Sequence, residues 1–457
     1  MIDVPMIDVA GLGADIRAGR ASSVAAVAAA YDRLDSLDPR INAITDRYDD
    51  AALAAARAVD DAVASGVELG PLAGVPITVK DHVWLAGTRS TNGSRALADF
   101  VPERSAVCVQ RLLDAGAVVI AKTNNPEFCY RGTTSNEVFG MTTNPHDVSR
   151  TAGGSSGGAA ATVASGVVGL AVGTDGGGSI RIPSAFCGTY GLKPTYGAIP
   201  TRPGFRGWPS LSVHGPIAGS LRGLQIALAV MAGATNGDPA AGAHLATTDR
   251  KPLRELRIGA SLDLGFAAVD DSVAERFEQV LHDLRAAGLH INSVAATLPD
   301  PCPIWDSIAL PEGHASEGPL LERSPQLVGD DAKAIIAAGA VDSRTYLDAQ
   351  ERRGEFATQW LRLLDNVDLL LTPTMPLTAF DANLLGPTSL GGRPVSASFD
   401  AWCALALPAN LAGTPALSIP VGTDEDGLPI GLQIQARRGA DHTLLHTATS
   451  VQDLIGR

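Results

Sequence analysis

Apolar residues recur at helical spacing through the Ala-rich first seventy positions, as in Val24-Ala-Ala-Val27-Ala-Ala-Ala-Tyr31 and from Ala51-Ala-Leu53 onward, and predict two or three leading helices. The period then changes. Val75-Pro76-Ile77-Thr78-Val79-Lys80 is a short β-branched run after a Pro/Gly turn and predicts a buried strand that ends on Lys80. Val118-Val119-Ile120-Ala121 predicts a second strand, reached through a helix-like segment at 105–115. Helix between strands points to a wound α/β sheet.

Between 153 and 191, Gly-rich loops alternate with apolar runs, including a small-residue helix near 158–164 and a strand at 168–172. Residues 256–260, 273–287 and 291–294 predict a peripheral strand-helix-strand unit, entered through the polar linker 236–251. The segment 299–330 is rich in Pro, Gly and Glu, and predicts a long irregular loop that serves as lid or pocket wall. Two further strands are expected at 367–371 and 416–419.

The chain has 457 residues, enough for a large apolar core without disulfides or metals, and a single body is expected over 1–457. Within it the pattern marks N-terminal helices at 1–70, a core at 71–235, a peripheral α/β and variable pocket region at 252–357, and C-terminal strands with a helix at 358–457. A formal net charge of -14 without clustered Lys or Arg excludes nucleic acid and anionic lipid as partners. Cys108, Cys129, Cys187, Cys302 and Cys403 are widely spaced and read as reduced thiols. The uncharged stretch after Arg150 is long enough to span a bilayer, but its Gly, Ser and Ala transfer poorly into hydrocarbon, so no membrane segment is expected. Met1-Ile2-Asp3-Val4-Pro5 lacks the basic and apolar regions of a secretory leader, which predicts a cytoplasmic protein.

Two serine-containing glycine loops carry the candidate chemistry: Gly153-Gly154-Ser155-Ser156-Gly157-Gly158, and Gly173-Thr174-Asp175-Gly176-Gly177-Gly178-Ser179-Ile180-Arg181-Ile182-Pro183. Consecutive glycines can turn several backbone N–H groups toward one point, which suits an oxyanion and a phosphate alike. Flexible linkers sit between polar stretches, whereas these loops are flanked by strand and helix patterns. The phosphate motifs GxxxxGK[ST] and GxGxxG are absent, which leaves acyl transfer. Gly153 to Gly157 also satisfies G-x-S-x-G, but a nucleophile elbow needs a strand before it, and Asn144-Pro-His-Asp-Val-Ser-Arg-Thr-Ala152 is turn chemistry. No HExxH motif occurs, so neither metal nor other cofactor is expected.

With the GGSSGG loop, the TDGGGSIRIP segment and the Val79-Lys80-Asp81 strand end in this order, separated by 75 and 24 positions from lysine to serine to serine, the chain resembles the amidase signature family. Matching segments spread along nearly the whole chain: Lys122-Thr-Asn-Asn-Pro-Glu-Phe128, Gly188-Thr-Tyr-Gly-Leu-Lys-Pro194, Leu371-Thr-Pro-Thr374, Asn410-Leu-Ala-Gly-Thr-Pro415 and Gly427-Leu-Pro-Ile-Gly-Leu-Gln433. Residues 299–357 match least. The resemblance implies a large mixed, twisted β-sheet core flanked on both faces by α-helices. It implies hydrolysis of a carbon–nitrogen acyl bond, with Ser179 as nucleophile, Ser155 as proton relay after a cis Gly154–Ser155 bond, and Lys80 as base. It also implies an oxyanion hole from the amides of Gly176, Gly177, Gly178 and Ser179.

The division of labour has physical support. A serine hydroxyl attacks only as a base takes its proton, and a lysine serves as that base only when burial brings it well below ~10.4. Asp175 and Arg181 are expected to pair beneath the loop, Ser156 to cap it, and Thr174 to support Ser155. The family's pocket segments correspond here to stretches carrying Asn125, Phe128, Tyr130, Trp208, Phe399 and Trp402. Their aromatic content, in a chain with only 5% aromatic residues, favours a small-molecule aryl or apolar amide, anilide or carbamate, handled by a monomer or homodimer. The alternatives are the glutaminase subunit of a tRNA-dependent amidotransferase and a catalytically silent scaffold.

Overall fold

The computed structural model describes residues 6–246, 251–295, 298–395 and 400–455. Helices α1 (Val9–Arg17), α2 (Ser23–Ile41) and α3 (Asp49–Ala64) take up the leading periodic stretch. Asp8 and Ser22 cap the first two, accepting from the N–H groups of Ala10 and Ala25, and Asp49 and Asp50 place negative charge at the start of the third. Val27, Ala30, Leu34, Ala52 and Ala56 bury the inner faces against the sheet.

Among the described residues the main sheet has eleven strands. In chain order these are β1 (Ile44–Arg47), β2 (Pro76–Lys80), β3 (Val118–Thr123), β4 (Leu170–Asp175), β5 (Tyr190–Lys193), β6 (Val213–Ala218), β7 (Ile258–Ala260), β8 (Ile291–Ser293), β9 (Leu369–Pro373), β10 (Ala416–Thr423) and β11 (Pro429–Gln435). Their order across the sheet is β1-β3-β2-β4-β6-β5-β10-β11-β9-β7-β8. The sheet is mixed: β2 runs parallel to both β3 and β4, while β4, β6, β5, β10, β11 and β9 alternate direction. β7 and β8 form the far edge, so the strand-helix-strand unit at 256–294 is peripheral to the glycine loops.

The centre of the molecule is built from small side chains. Helix α4 (Val107–Asp114) connects toward β3 as the pattern predicts. Helix α5 (Gly157–Ala164) has the sequence GGAAATVA and is buried over its first seven residues, which lets it pack closely on β2, β4 and β6. Gly158 is required there, because a Cβ at that position would lie 2.5 Å from Ala43 O. Helix α6 (Arg181–Cys187) leaves the second glycine loop.

One expectation is overturned. Residues 299–330 are not an irregular loop; most of them form a 22-residue helix, Cys302–Arg323. Pro311 and Pro319 lie inside it, and each removes an intrahelical N–H, so local propensity hides the helix. Tertiary packing of Trp305, Ile308, Ala309, Gly313 and Glu317 against the core maintains it. No helix among the described residues is long and apolar enough to cross a membrane, and the five cysteines are buried.

Candidate active site

Because β2 and β4 are parallel, with Thr78 opposite Ala171 and Val79 opposite Val172, their C-terminal ends emerge side by side. Lys80 ends the first and Thr174-Asp175 ends the second. Lys80 is completely buried, and its Nζ donates to Ser155 Oγ at 2.7 Å and to Thr174 Oγ1 at 2.8 Å. Burial drives the lysine below its ordinary range; the neighbouring Cys129, Asp175 and Asp81 oppose that shift without cancelling it. Thr174 and Ser155 thus share the lysine as a hydrogen-bond partner.

The two glycine loops meet. Ser156 N–H donates to Ser179 O at 3.2 Å, and Ser156 Oγ donates to Thr174 O at 3.2 Å and accepts from Thr174 N–H at 3.3 Å. Ser156 thus ties the two loops together, while its side chain makes no capping bond to the helix that follows. The Gly154–Ser155 peptide bond is cis. Lys80, Ser155 and the Ser179 loop are brought together in the buried centre, although 99 positions separate the first from the last.

Asp175 and Arg181 fix the second loop from beneath. Arg181 Nε and Nη2 donate to Asp175 Oδ2 and Oδ1, both at 2.9 Å, and both side chains are fully buried. Arg181 also donates to Ala406 O, Gln433 Oε1 and Asn410 Oδ1, while Asn410 Nδ2 returns a bond to Asp175 Oδ1. Burial alone would raise the Asp175 carboxyl, but the Arg181 charge and hydrogen bonds, with Lys193 and Asn410, hold it well below the ordinary range. Asn410 and Gln433 are partners that sequence reasoning did not single out, although they begin and end two of the segments that resemble the family.

One amide must be removed from the expected oxyanion hole. Gly178 N–H donates to Asp175 Oδ1 at 2.8 Å, so it is engaged in holding the loop. Among the described residues no acceptor is found for the N–H groups of Gly176, Gly177 and Ser179. Aromatic rings press on this loop. A Cβ at Gly176 would lie 2.6 Å from Trp208 Cε3, and one at Gly177 would lie 2.9 Å from Trp305 Cζ2. Trp305, from the unexpected helix, also donates its indole N–H to Gly176 O at 2.8 Å.

The expected pocket residues divide. Trp208 belongs to the wall beside the loop, stacked on Tyr130 at 5.7 Å with Phe128 edge-on to Tyr130. Tyr130 Oη donates to Glu317 Oε2 at 2.7 Å. Asn125 is committed to the scaffold: its Oδ1 accepts from His82 N–H at 3.0 Å and its Nδ2 donates to Pro126 O at 2.9 Å. Trp402 is a core residue and not a pocket residue, fully buried against Phe186 and Phe380 behind α6. Phe399 lies outside the described residues.

Cys129 carries a signal that sequence reasoning did not rank. It follows Phe128 in an uninterrupted pair of left-handed residues, φ 63 and φ 53. Its thiol donates to Asn92 Oδ1 at 3.7 Å; burial would push it up, yet the neighbouring Lys80 and His82 bring it down to about 7. As for metals, His442 and His446 do share an i, i+4 spacing that the expectation of no metal passes over. Among the described residues, however, no group of three His, Cys, Asp or Glu side chains is placed to hold an ion.

A family model described as Amidase matches residues 25–445. The chain is 34% identical to an acylamidase of Rhodococcus erythropolis over 432 residues, which cover 93% of this chain and 90% of the relative. It is 36% identical to a glutamyl-tRNA(Gln) amidotransferase subunit of Moorella thermoacetica over 458 residues, covering 93% and 92%. A crystal structure of a bacterial aryl acylamidase of the amidase signature enzymes superposes with a TM-score of 0.90 at 28% identity, covering 98% of this chain and 96% of that one.

Proposed function

Because the chain belongs to the amidase signature family and is a hydrolase of carbon–nitrogen amide bonds, we propose that it cleaves small aryl or apolar amides, anilides and carbamates through an acyl-enzyme on Ser179. The observation that carries the mechanism is the 2.7 Å contact between Lys80 Nζ and Ser155 Oγ at the buried junction of the two glycine loops. Desolvation favours the neutral amine. In that state Ser155 O–H donates to the lysine lone pair across the same contact. As Ser179 Oγ bonds to the substrate carbonyl carbon, its proton passes to Ser155 and the Ser155 proton passes to Lys80.

The carbonyl oxygen becomes an oxyanion held by the N–H groups of Gly176, Gly177 and Ser179, each aimed donor being worth about 3 kcal/mol. The tetrahedral intermediate collapses when Ser155 returns a proton to the leaving nitrogen, since an amine leaves only when protonated. Water then repeats the sequence on the Ser179 ester. The Trp208 and Trp305 rings against Gly176 and Gly177 support an aryl or apolar substrate group. A carbamate presents the same carbonyl to the same nucleophile. We place the enzyme in the cytoplasm as a monomer or homodimer acting on free small molecules.

The test is turnover of p-nitroacetanilide, an aryl carbamate, a p-nitrophenyl ester and glutamine by the wild type and by Ser179→Ala and Lys80→Ala. Anilide or carbamate hydrolysis lost in both variants supports the reading. Full activity in Ser179→Ala overturns the nucleophile. The similarity to the amidotransferase component favours a second reading, a glutaminase working within a complex, and cleavage of glutamine alone would replace the first reading by that one.

A further inference from the structure

A cavity of about 260 Å³ opens beside the second glycine loop, its wall running from Thr174, which Lys80 bonds, across Trp208 and Phe205 to the loop at 201–209. Of its lining residues, Thr174 is the one bonded to the proposed proton relay, through Lys80. Arg202 and Arg206 also line it, and among the described residues neither has a carboxylate partner at ion-pair distance. Arg202 Nη1 donates to Gly204 O at 3.3 Å and Arg206 Nη1 to Ala315 O at 3.2 Å, both neutral acceptors.

The remaining charges around the cavity offset them only in part. Asp238, also in the wall, is occupied: its Oδ2 accepts from Thr201 N–H, Thr201 O–H and Arg202 N–H, and its Oδ1 from Ala240 N–H. His214, bonded to Cys108 Sγ, is pushed by burial down to about 3 and stays neutral. His82 is bonded through Nδ1 to Asn92 Oδ1. Glu317, on the helix that Arg206 touches, is raised by burial to about 7 and is already bonded by Tyr130. Against the single carboxylate of Asp238, the two guanidinium groups leave this aromatic wall with a net positive charge, one residue removed from Lys80 through Thr174.

We propose that this cavity receives an aryl amide whose ring carries a carboxylate, with Trp208 and Phe205 against the ring and Arg202 and Arg206 on the anion. This rests on the amide-hydrolase reading and adds the charge of the substrate to it. The planar guanidinium fork matches a carboxylate in two parallel bonds. A neutral ring in the same place would strip water from the arginines and return no acceptor.

The experiment compares kcat/KM for 3- or 4-acetamidobenzoate with that for acetanilide, in the wild type, Arg202→Gln and Arg206→Gln. The wild-type ratio is expected to favour the carboxylate about tenfold or more, the worth of one charge-assisted hydrogen bond. It should fall toward one in the variants. A second arm measures calorimetric binding of benzoate and benzamide to Ser179→Ala, with and without each arginine change. Benzoate binding that depends on the arginines, without turnover of any amide, would sustain the cavity assignment while removing the hydrolase reading. Acetanilide preferred or equal in the wild type, or a ratio unchanged in both arginine variants, overturns the proposal.

Discussion

Replacing Arg181 with Met is expected to undo the platform that carries Ser179. The guanidinium bonds both Asp175 oxygens, Ala406 O, Gln433 Oε1 and Asn410 Oδ1, all in the buried core. Methionine fills much of the volume and donates nothing. Asp175 keeps the N–H groups of Gly178 and Ile180 and the Asn410 amide, but it loses its counter-charge. Breaking a buried pair from one side costs about 3–5 kcal/mol.

The sign of the pH dependence sharpens this. In the wild type the folded Asp175 carboxyl lies below its unfolded value, so its stabilisation is complete above about 3.9 and is lost as pH falls through the folded pKa. Without Arg181, burial dominates and the folded pKa rises above the unfolded one. The variant then bears a penalty at neutral pH that is relieved as acid protonates the carboxyl. The stability deficit should therefore be largest near neutrality and shrink toward acid, read as urea midpoints by circular dichroism across pH 4 to 8. Turnover should be lost with it, and Arg181→Lys, which keeps the charge without the fork, should recover part of the stability. A deficit under about 1 kcal/mol, or one that grows in acid, would refute the reasoning.

Three further outcomes follow from the site. The kcat/KM of the wild type should rise with pH through an apparent pKa below the ordinary lysine range, because only neutral Lys80 accepts a proton. Cys129→Ala removes a partner that raises the Lys80 pKa, so the acid limb should move to lower pH; a shift to higher pH would contradict the assigned electrostatics. Gly177→Ala puts a Cβ 2.9 Å from the Trp305 ring, and should lower kcat about 100-fold by displacing an oxyanion donor. Its stability cost should be about 1–3 kcal/mol, checked by anilide kinetics and thermal unfolding, and wild-type turnover would count against the three-amide hole.

The parts of the molecule that local pattern governs were legible in the sequence. Val75 to Lys80 reads as a buried strand because its residues are β-branched and apolar, and the chain's direction then puts Lys80 at its end. The glycine loops were legible for the same reason: glycine at consecutive positions between apolar runs has few structural uses. What escaped depends on tertiary context. The Cys302–Arg323 helix contains two prolines and is held by its partners, so no periodic signal announces it. Strand β6 holds Gly215 and Pro216, poor strand formers, and close approach explains the glycine, since a Cβ there would lie 2.4 Å from Leu192 O. Trp402 and Trp208 are indistinguishable as letters; only packing sends one behind α6 and the other to the cavity wall.

The identity of the residue that carries the acyl group decides the mechanism most directly. Brief reaction with p-nitrophenyl acetate, acid quench and peptide mass spectrometry should find the acetyl group on Ser179, with its appearance slowed in Lys80→Ala. Acetylation of Ser155 or Cys129 in place of Ser179, or turnover with no labelled serine at the earliest times, would contradict it.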